Sequence, residues 1–481
     1  METAVEKERV GIETPAVESQ TARVAVLGVL AALLLLASLR GQGLAGYDDS
    51  YFAHEGKEMV RTGDWWNVRF NGEFILAQGP AFPWLEACSF KLFGIGDRAA
   101  KVPSALLGFG AILLMYFLTL ELAGDSWLAL MSMLVLASTQ FFLKNASHAM
   151  SDVPFTFFSA LGIFFYTKGL KNSVYLVLMS LPFTLAVLTR SVVGFLALGI
   201  VLAHLLLTKR FGLLLSPALI CGVLLTVVLP AIWYVSQYRL HGAAFFVSHL
   251  QFLGSKLHPE GGPRGWTTVF NYPLALLKYY WPWLPFLVAG LVIEARAVRR
   301  AKDQTAILLL VWVLFVLVPF SLAETRYPRY IMAVFPAFSI LSAIALNRWL
   351  RVTRRKLMFD SACAIGVAAI CLSFLFPPKA RADDMVKLAP LAQANSSPDQ
   401  RILMYTYTDG RTDYLYQFVW YSNRYAQLAD NLDGLAVKLH RAQKATVIID
   451  KQSYRKLLSL IPEKTAHVLG ESENLICFRS S

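Results

Sequence analysis

The chain has 481 residues, of which 56% are hydrophobic and only 16% charged, and its formal net charge is +13. Its mean hydropathy is +0.50. A soluble domain carries about 25% charged residues, so this composition excludes an ordinary water-soluble protein and points to an integral membrane protein. The five cysteines (Cys88, Cys221, Cys363, Cys371, Cys477) are scattered without a Cys-x-x-Cys pair, which indicates neither a zinc knuckle nor a disulfide framework.

In chain order, residues 1–23 read as a polar tail of mixed charge. The apolar run Val24 to Ser38 follows without a clear small-residue cleavage site, so it is read as a retained first helix. A membrane span needs roughly 20 apolar residues. The runs 24–39, 102–121, 127–143, 153–168, 174–189, 192–207, 212–235, 275–293, 306–322, 331–347 and 357–376 approach that length, and two short ones leave a re-entrant path open. The expected fold is an α-helical polytopic membrane protein with about 11–13 transmembrane helices over 24–376. Lys and Arg cluster in alternate loops: Lys168 and Lys171; Lys209 and Arg210; Arg296, Arg299, Arg300 and Lys302; Arg348, Arg351, Arg354, Arg355 and Lys356. Basic loops stay in the cytoplasm. That places the N terminus inside, and the loops 40–101 and 236–274 outside with everything after 377. Topology and anionic lipid account for the basic clusters, and no nucleic-acid partner is indicated.

Within the first outer loop, 49–62 has helical spacing, and Phe82 to Phe93 is amphipathic. Trp84, Phe90 and Phe93 suggest a surface helix with aromatic residues in the membrane interface, against the alternative of a packed loop domain. Pro377-Pro378 ends the last span. Beyond it, 401–408, 445–450, 466–469 and 475–479 read as strands, and 431–443 and 453–460 as helices. That alternation predicts a small C-terminal α/β extracytoplasmic domain.

The candidate chemistry lies in the outer loops. Asp48 and Asp49 stand side by side just past the first run. One Asp suffices to cap a helix; two together suggest a general base for a hydroxyl. Asp152 precedes Pro154 in the next outer loop and reads either as a helix cap or as a carboxylate converging on the same cavity. His54, His148, His241, His249 and His258 share that face, but no His-x-x-x-His spacing is present, so a divalent metal stays open and no cofactor is assigned. Arg326 and Arg329 flank Tyr327-Pro328. Arg binds phosphate through a bidentate fork, and snorkelling to the interface is the alternative.

The stretch Tyr47-Asp48-Asp49-Ser50-Tyr51-Phe52-Ala53, with Gly56-Lys57-Glu58-Met59, Thr62-Gly63-Asp64-Trp65, Asn71-Gly72, Pro80 and Trp84-Leu85, resembles the first outer loop of polyprenyl-phosphate-dependent glycosyltransferases of the GT-C fold. Bacterial protein mannosyltransferase-like proteins and lipid A aminoarabinose transferases are the nearest kinds. Ser151-Asp152, Leu188-Thr189-Arg190, Trp281-Pro282-Trp283, Arg326-Tyr327-Pro328-Arg329-Tyr330 and Trp420-Tyr421-Ser422-Asn423-Arg424 continue the resemblance. It implies an inverting glycosyltransferase that takes a sugar from a polyprenyl phosphate in the lipid bilayer to a lipid, glycan or protein acceptor. Asp48, Asp49 and Asp152 are the implied catalytic residues, with Asp48 as base. The aminoarabinose branch has Glu-Lys-Pro-Pro where this chain has Ala77-Gln78-Gly79-Pro80, so a metal ligand and a phosphate contact of that branch are missing. Arg190, Lys256, Arg326 and Arg329 are then the candidate phosphate ligands, and His54, Trp84, His148 and Tyr327 the candidate cavity residues. A transporter of lipid-linked sugars, or a non-catalytic polyprenyl-phosphate-binding protein, is the alternative. Transporters often place ionisable residues at mid-membrane, and these runs hold almost none.

Overall fold

The computed structural model of the protein describes residues 17–40, 43–44, 46–257, 270–323, 326–350, 352–375, 383–405, 413–441, 444–461 and 466–480. The first helix, α1, is Val17–Ser38. The outer loop then folds as α2 (Gly46–Thr62), a hairpin of β1 (Arg69–Phe70) and β2 (Glu73–Phe74), and α3 (Ala81–Phe93). The bundle continues through α4 (Asp97–Ala123), α5 (Ser126–Ser138), α6 (Gln140–Ala146), α7 (Asp152–Gly169), α8 (Val174–Leu178), α9 (Ser180–Arg190), a 3-10 turn at Ser191–Phe195, and α10 (Leu196–Leu207). It goes on through α11 (Phe211–Leu214), α12 (Pro217–His241), α13 (Ala243–Leu257), α14 (Asn271–Tyr279), α15 (Leu284–Ala301), α16 (Gln304–Leu322), a second 3-10 turn at Pro328–Val334, α17 (Phe335–Trp349) and α18 (Val352–Leu375).

Among the described residues, seven helical stretches are long and apolar enough to cross a membrane, or nine if two bent pairs each count as one span. The bends are 65° between α5 and α6 and 118° between α14 and α15. One of the seven, Val174–Leu207, has 34 residues; a straight helix of that length would run about 51 Å, well beyond a hydrocarbon core of about 30 Å. It is not straight. Ser191 has φ +51°, and a Cβ on Gly194 would stand 2.3 Å from Val187 Cα, so the chain folds back at Arg190–Ser191. The two limbs match the expected runs 174–189 and 192–207. Helix α7 matches the run 153–168, but its end charges and the polar Thr156, Ser159 and Thr167 lower its hydropathy.

The apolar core is built chiefly by α4, α5, α7 and α17, where Leu118, Met131, Ile163 and Phe338 are buried together. Asp125 caps α5 by accepting from the amides of Trp127 and Leu128, and it also accepts from Asn347 Nδ2 at 3.1 Å, which ties α5 to α17. On the outside of α12, Leu224, Val228, Ile232 and Val235 are each about half exposed. An apolar row of that kind suits acyl chains and not water.

Beyond the bundle, α19 (Asp383–Ala394), β3 (Ile402–Tyr405), α20 (Asp413–Ser422), β4 (Ala426–Leu428), α21 (Leu432–Arg441), β5 (Ala445–Asp450), α22 (Lys451–Leu460), β6 (Ala466–Glu471) and β7 (Leu475–Ser480) form a five-stranded sheet with flanking helices. The strand order is β4-β3-β5-β7-β6. β3 is parallel to β4 and β5, and β7 is antiparallel to β5 and β6. The expected strands and helices are present, and α19, α20 and β4 were not read from the sequence. Residues 406–408 of the first expected strand lie outside the described residues. Asn71-Gly72, both at positive φ, make the tight turn between β1 and β2. The Asn71 amide donates to Ala426 O at 2.9 Å and accepts from Ala426 N at 2.8 Å, pinning the hairpin to this sheet.

Helices α15 and α17 meet closely at Gly290, where a Cβ would lie 2.1 Å from Leu341 O. Gly290→Ala should therefore cost about 1–3 kcal/mol of stability, read as a lower unfolding midpoint of the detergent-solubilised protein. An unchanged midpoint would count against this packing.

Candidate active site

Helix α2 begins with both acids in its first turn. Consecutive helical residues point about 100° apart, so the two carboxylates diverge. Asp48, Tyr51 and Phe52 share one face at i, i+3 and i+4, and all three line a cavity of about 370 Å³. Asp49 turns the other way, 1% exposed, and its Oδ2 meets His148 Nδ1 at 2.8 Å.

Four charged groups meet at the cavity. Asp48 Oδ2 pairs with Arg329 Nη1. Asp152 Oδ1 pairs with Arg190 Nη2 at 2.5 Å. Asp152 lies in the first turn of α7, where the positive helix end favours an anion, and Arg190 is the last residue of α9, where the negative end favours a cation. Arg329 stands in the 3-10 turn before α17, with its guanidinium carbon 5.2 Å from the Tyr327 ring centroid and 5.9 Å from that of Tyr330. The opposite wall is apolar: Val192, Leu196, Phe252, Pro319 and Phe320. Burial pushes the Asp48 carboxyl up from its ordinary value, the Arg329 charge pulls it down, and the Asp152 charge pushes it up again.

Ser191 lines the cavity at its strained positive φ, a backbone state that costs energy and clusters at functional sites. Gln78 lines it from the loop before α3. Gly79 lets that loop close on α9, since a Cβ there would lie 2.0 Å from Leu188 O. Tyr51, Gln78 and Tyr330 were quoted from the sequence only as parts of family-like stretches, without a site role, and Ser191 was not named. Tyr51 was legible from its i+3 relation to Asp48, and Tyr330 from its place beside Arg329.

The other expected site residues lie elsewhere. His54 is buried against the Phe70 ring at 5.1 Å between centroids, and burial depresses its basicity well below the usual value. Trp84 donates to Trp65 O at 2.5 Å. Arg326 donates to Ser321 O through Nε and Nη2. Tyr327 is 52% exposed and is not part of the cavity lining. The side chain of Lys256 and the whole of His258 lie outside the described residues. Phe90, expected in the membrane interface, is 3% exposed and packs on Trp420 at 5.7 Å between centroids.

Beside the cavity, α2 and α3 bury Glu55, Lys57, Glu58 and Glu86. Burial raises the Glu55 and Glu86 carboxyls well above their ordinary values and lowers the Lys57 ammonium to about 7. Among the described residues no three His, Cys, Asp or Glu side chains are grouped to hold a metal. Asp48 and Asp152 are each engaged by a guanidinium. The described donor set therefore does not fit a resident metal ion.

Comparison with known proteins follows the same lines. A family model for dolichyl-phosphate-mannose-protein mannosyltransferase matches residues 26–246. An uncharacterised protein of Aquifex aeolicus is 28% identical over 305 residues, covering 62% of this chain and 59% of that protein. The undecaprenyl phosphate-alpha-4-amino-4-deoxy-L-arabinose arabinosyl transferase of Pectobacterium carotovorum is 25% identical over 382 residues, covering 73% of this chain and 66% of that protein. The chain thus spans 59% and 66% of the length of these two curated relatives. The crystal structure of ArnT from Cupriavidus metallidurans superposes with a TM-score of 0.77 at 18% identity, over 96% of this chain and 98% of that one; its complex with undecaprenyl phosphate gives 0.76 at 17%, over 95% and 98%. The architecture is the GT-C fold of a multi-pass membrane protein. The resemblance to GT-C polyprenyl-phosphate-dependent glycosyltransferases read from the sequence holds in both the family pattern and the fold.

Asp152 is 3% exposed, so removing Arg190 would strand a buried charge. Arg190→Ala should cost up to about 3 kcal/mol. The double variant Arg190→Ala/Asp152→Asn should recover part of it in thermal unfolding. Equal losses would mean that the pair is not a structural ion pair.

Proposed function

We propose that the protein is an inverting membrane glycosyltransferase. It moves a sugar from a polyprenyl-phosphate donor to a hydroxyl outside the cytoplasm, on a lipid, a glycan or a protein. The N terminus is cytoplasmic, and the cavity and terminal sheet face the opposite side. The observation that carries this reading is the union, in one cavity, of two carboxylate–guanidinium pairs with an apolar wall. The guanidinium groups suit a phosphate, and the apolar wall suits the first isoprene units. The family model and the undecaprenyl-phosphate complex of the structural neighbour support the same donor class.

In this mechanism the acceptor oxygen forms a bond to the anomeric carbon as the bond from that carbon to the phosphate oxygen breaks. The phosphate leaves with the electron pair, stabilised by Arg190 and Arg329. The hydroxyl proton passes to Asp48. Arg190 Nε is buried and has no hydrogen-bond partner among the described residues, so it has a donor to offer. The donor phosphate competes with Asp48 for Arg329, and a carboxylate released from its cation is a stronger base. Asp152 holds Arg190 in place from the far side.

Asp48→Asn should lower transfer from a radiolabelled lipid donor by about 10²–10⁴-fold in a folded protein; transfer at the wild-type rate would remove Asp48 as base. A base works only when deprotonated. Because burial raises the Asp48 carboxyl, wild-type turnover should fall, as pH is lowered, already above the ordinary carboxylate range. Arg329→Gln removes a lowering influence and should move that acid limb to higher pH. A limb that stays put would separate Arg329 from Asp48 in function.

A further inference from the structure

The terminal region meets the chain entering α2 at one carboxylate outside the cavity. Asp97, at the start of α4, accepts from the Gly43 amide at 3.0 Å, from Trp420 Nε1 at 2.7 Å and from the Tyr421 hydroxyl at 3.2 Å. The same Tyr421 oxygen accepts from the Leu44 amide at 2.9 Å. Lys101 Nζ donates to Gly43 O at 2.9 Å. Residues 43 and 44 lie just before α2, Leu44 is fully buried, and Gly43 has φ +86°, a conformation that favours glycine. The chain entering α2 is therefore held at both residues, partly by the bundle and partly by α20.

The helix is tied to the outer sheet again further along. Lys57 Nζ donates to Trp420 O at 2.6 Å and lies 5.0 Å from the Trp420 ring centroid. The Tyr425 hydroxyl donates to Glu58 Oε2 at 3.0 Å. None of these groups lines the cavity. Asp48 stands four positions after Leu44 in the chain, so the 43–44 anchor lies within a few residues of the first turn of α2.

We propose that Asp97, acting through Trp420 and Tyr421 of the terminal sheet region, is a positioning residue that sets where the Asp48 carboxylate stands over the cavity. The inference rests on the transferase reading of that cavity. A displacement of about 1 Å at a reacting group can cost 10²-fold in rate, so this anchor makes the terminal region part of the active machinery without giving it a substrate contact.

The test uses the full-length protein reconstituted with a polyprenyl-phosphate sugar donor, as wild type, Asp97→Ala, Trp420→Phe and the double variant. Three quantities are read: kcat, the dissociation constant for the lipid phosphate, and amide hydrogen exchange over residues 43–52. The expected result for Asp97→Ala is a kcat lower by about 10–100-fold, unchanged lipid-phosphate binding, and faster exchange at 43–52 with the bundle unaltered. The double variant should fall no further than Asp97→Ala, since both changes act through one carboxylate. Wild-type kcat in Asp97→Ala, additive effects in the double variant, or unchanged exchange at 43–52 would each overturn the proposal. If Asp97→Ala does not fold, Trp420→Phe, which removes the indole N–H that donates to Asp97 together with some ring bulk, decides on the same readouts. If wild type fails to transfer from the lipid donor, the transferase reading falls by itself, and the exchange result still decides whether the anchor positions α2.

Discussion

The pairing of Asp48 with Arg329 and of Asp152 with Arg190 joins four elements that are far apart in the chain. At a half-buried site beside an apolar wall, an uncompensated charge is expensive. Each pair therefore selects the helix arrangement in which α2, α7, α9 and the 3-10 turn before α17 all arrive at one cavity. The same pairs create the boundary that defines the site, with charge on one side and aliphatic and aromatic surface on the other. An amphipathic lipid phosphate has the matching division.

Helix α2 works under a second constraint. It lies between the bundle and the terminal sheet, so almost every face is covered. The 100° step between residues sends Asp48 to the cavity and Asp49 to His148, which gives two adjacent acids unlike environments. On the buried side, Glu55 and Glu86 are held toward the neutral form by desolvation, which lessens the repulsion with Asp49 that three ionised carboxylates would suffer. Gly56 permits this crowding, since a Cβ there would lie 2.4 Å from Glu86 Cβ.

Much of this was legible in the residue pattern. Long apolar runs and alternate basic loops follow from the bilayer's demand for satisfied backbone and apolar surface, and they mark the bundle. Short β-rich apolar runs alternating with helical stretches in the tail mark the sheet. The acid pair, Asp152, Arg190 and Arg329 stood out because charge beside a membrane span is scarce. Legibility failed where contacts are long-range. Phe90 reads as an interfacial aromatic, yet Trp420, hundreds of residues later, covers it. His54, followed in sequence by Glu55, Gly56 and Lys57, reads as a polar residue of the outer loop, yet it is enclosed against the Phe70 ring of the hairpin. Helix α20 carries both aromatic and polar residues, and its role depends on partners in α2 and α4.

The sequence by itself determined that the chain lives in a membrane, roughly where it crosses, and which few charged residues are candidates for chemistry. Those properties are local, because hydropathy and charge act on each segment whatever its neighbours. Only the tertiary structure decided which carboxylate meets which guanidinium, that Asp48 and Asp49 serve different surroundings, and that Asp97 ties the outer sheet to the start of α2. Such choices depend on the rotation of each helix about its axis, and that rotation is set by packing against elements distant in the chain.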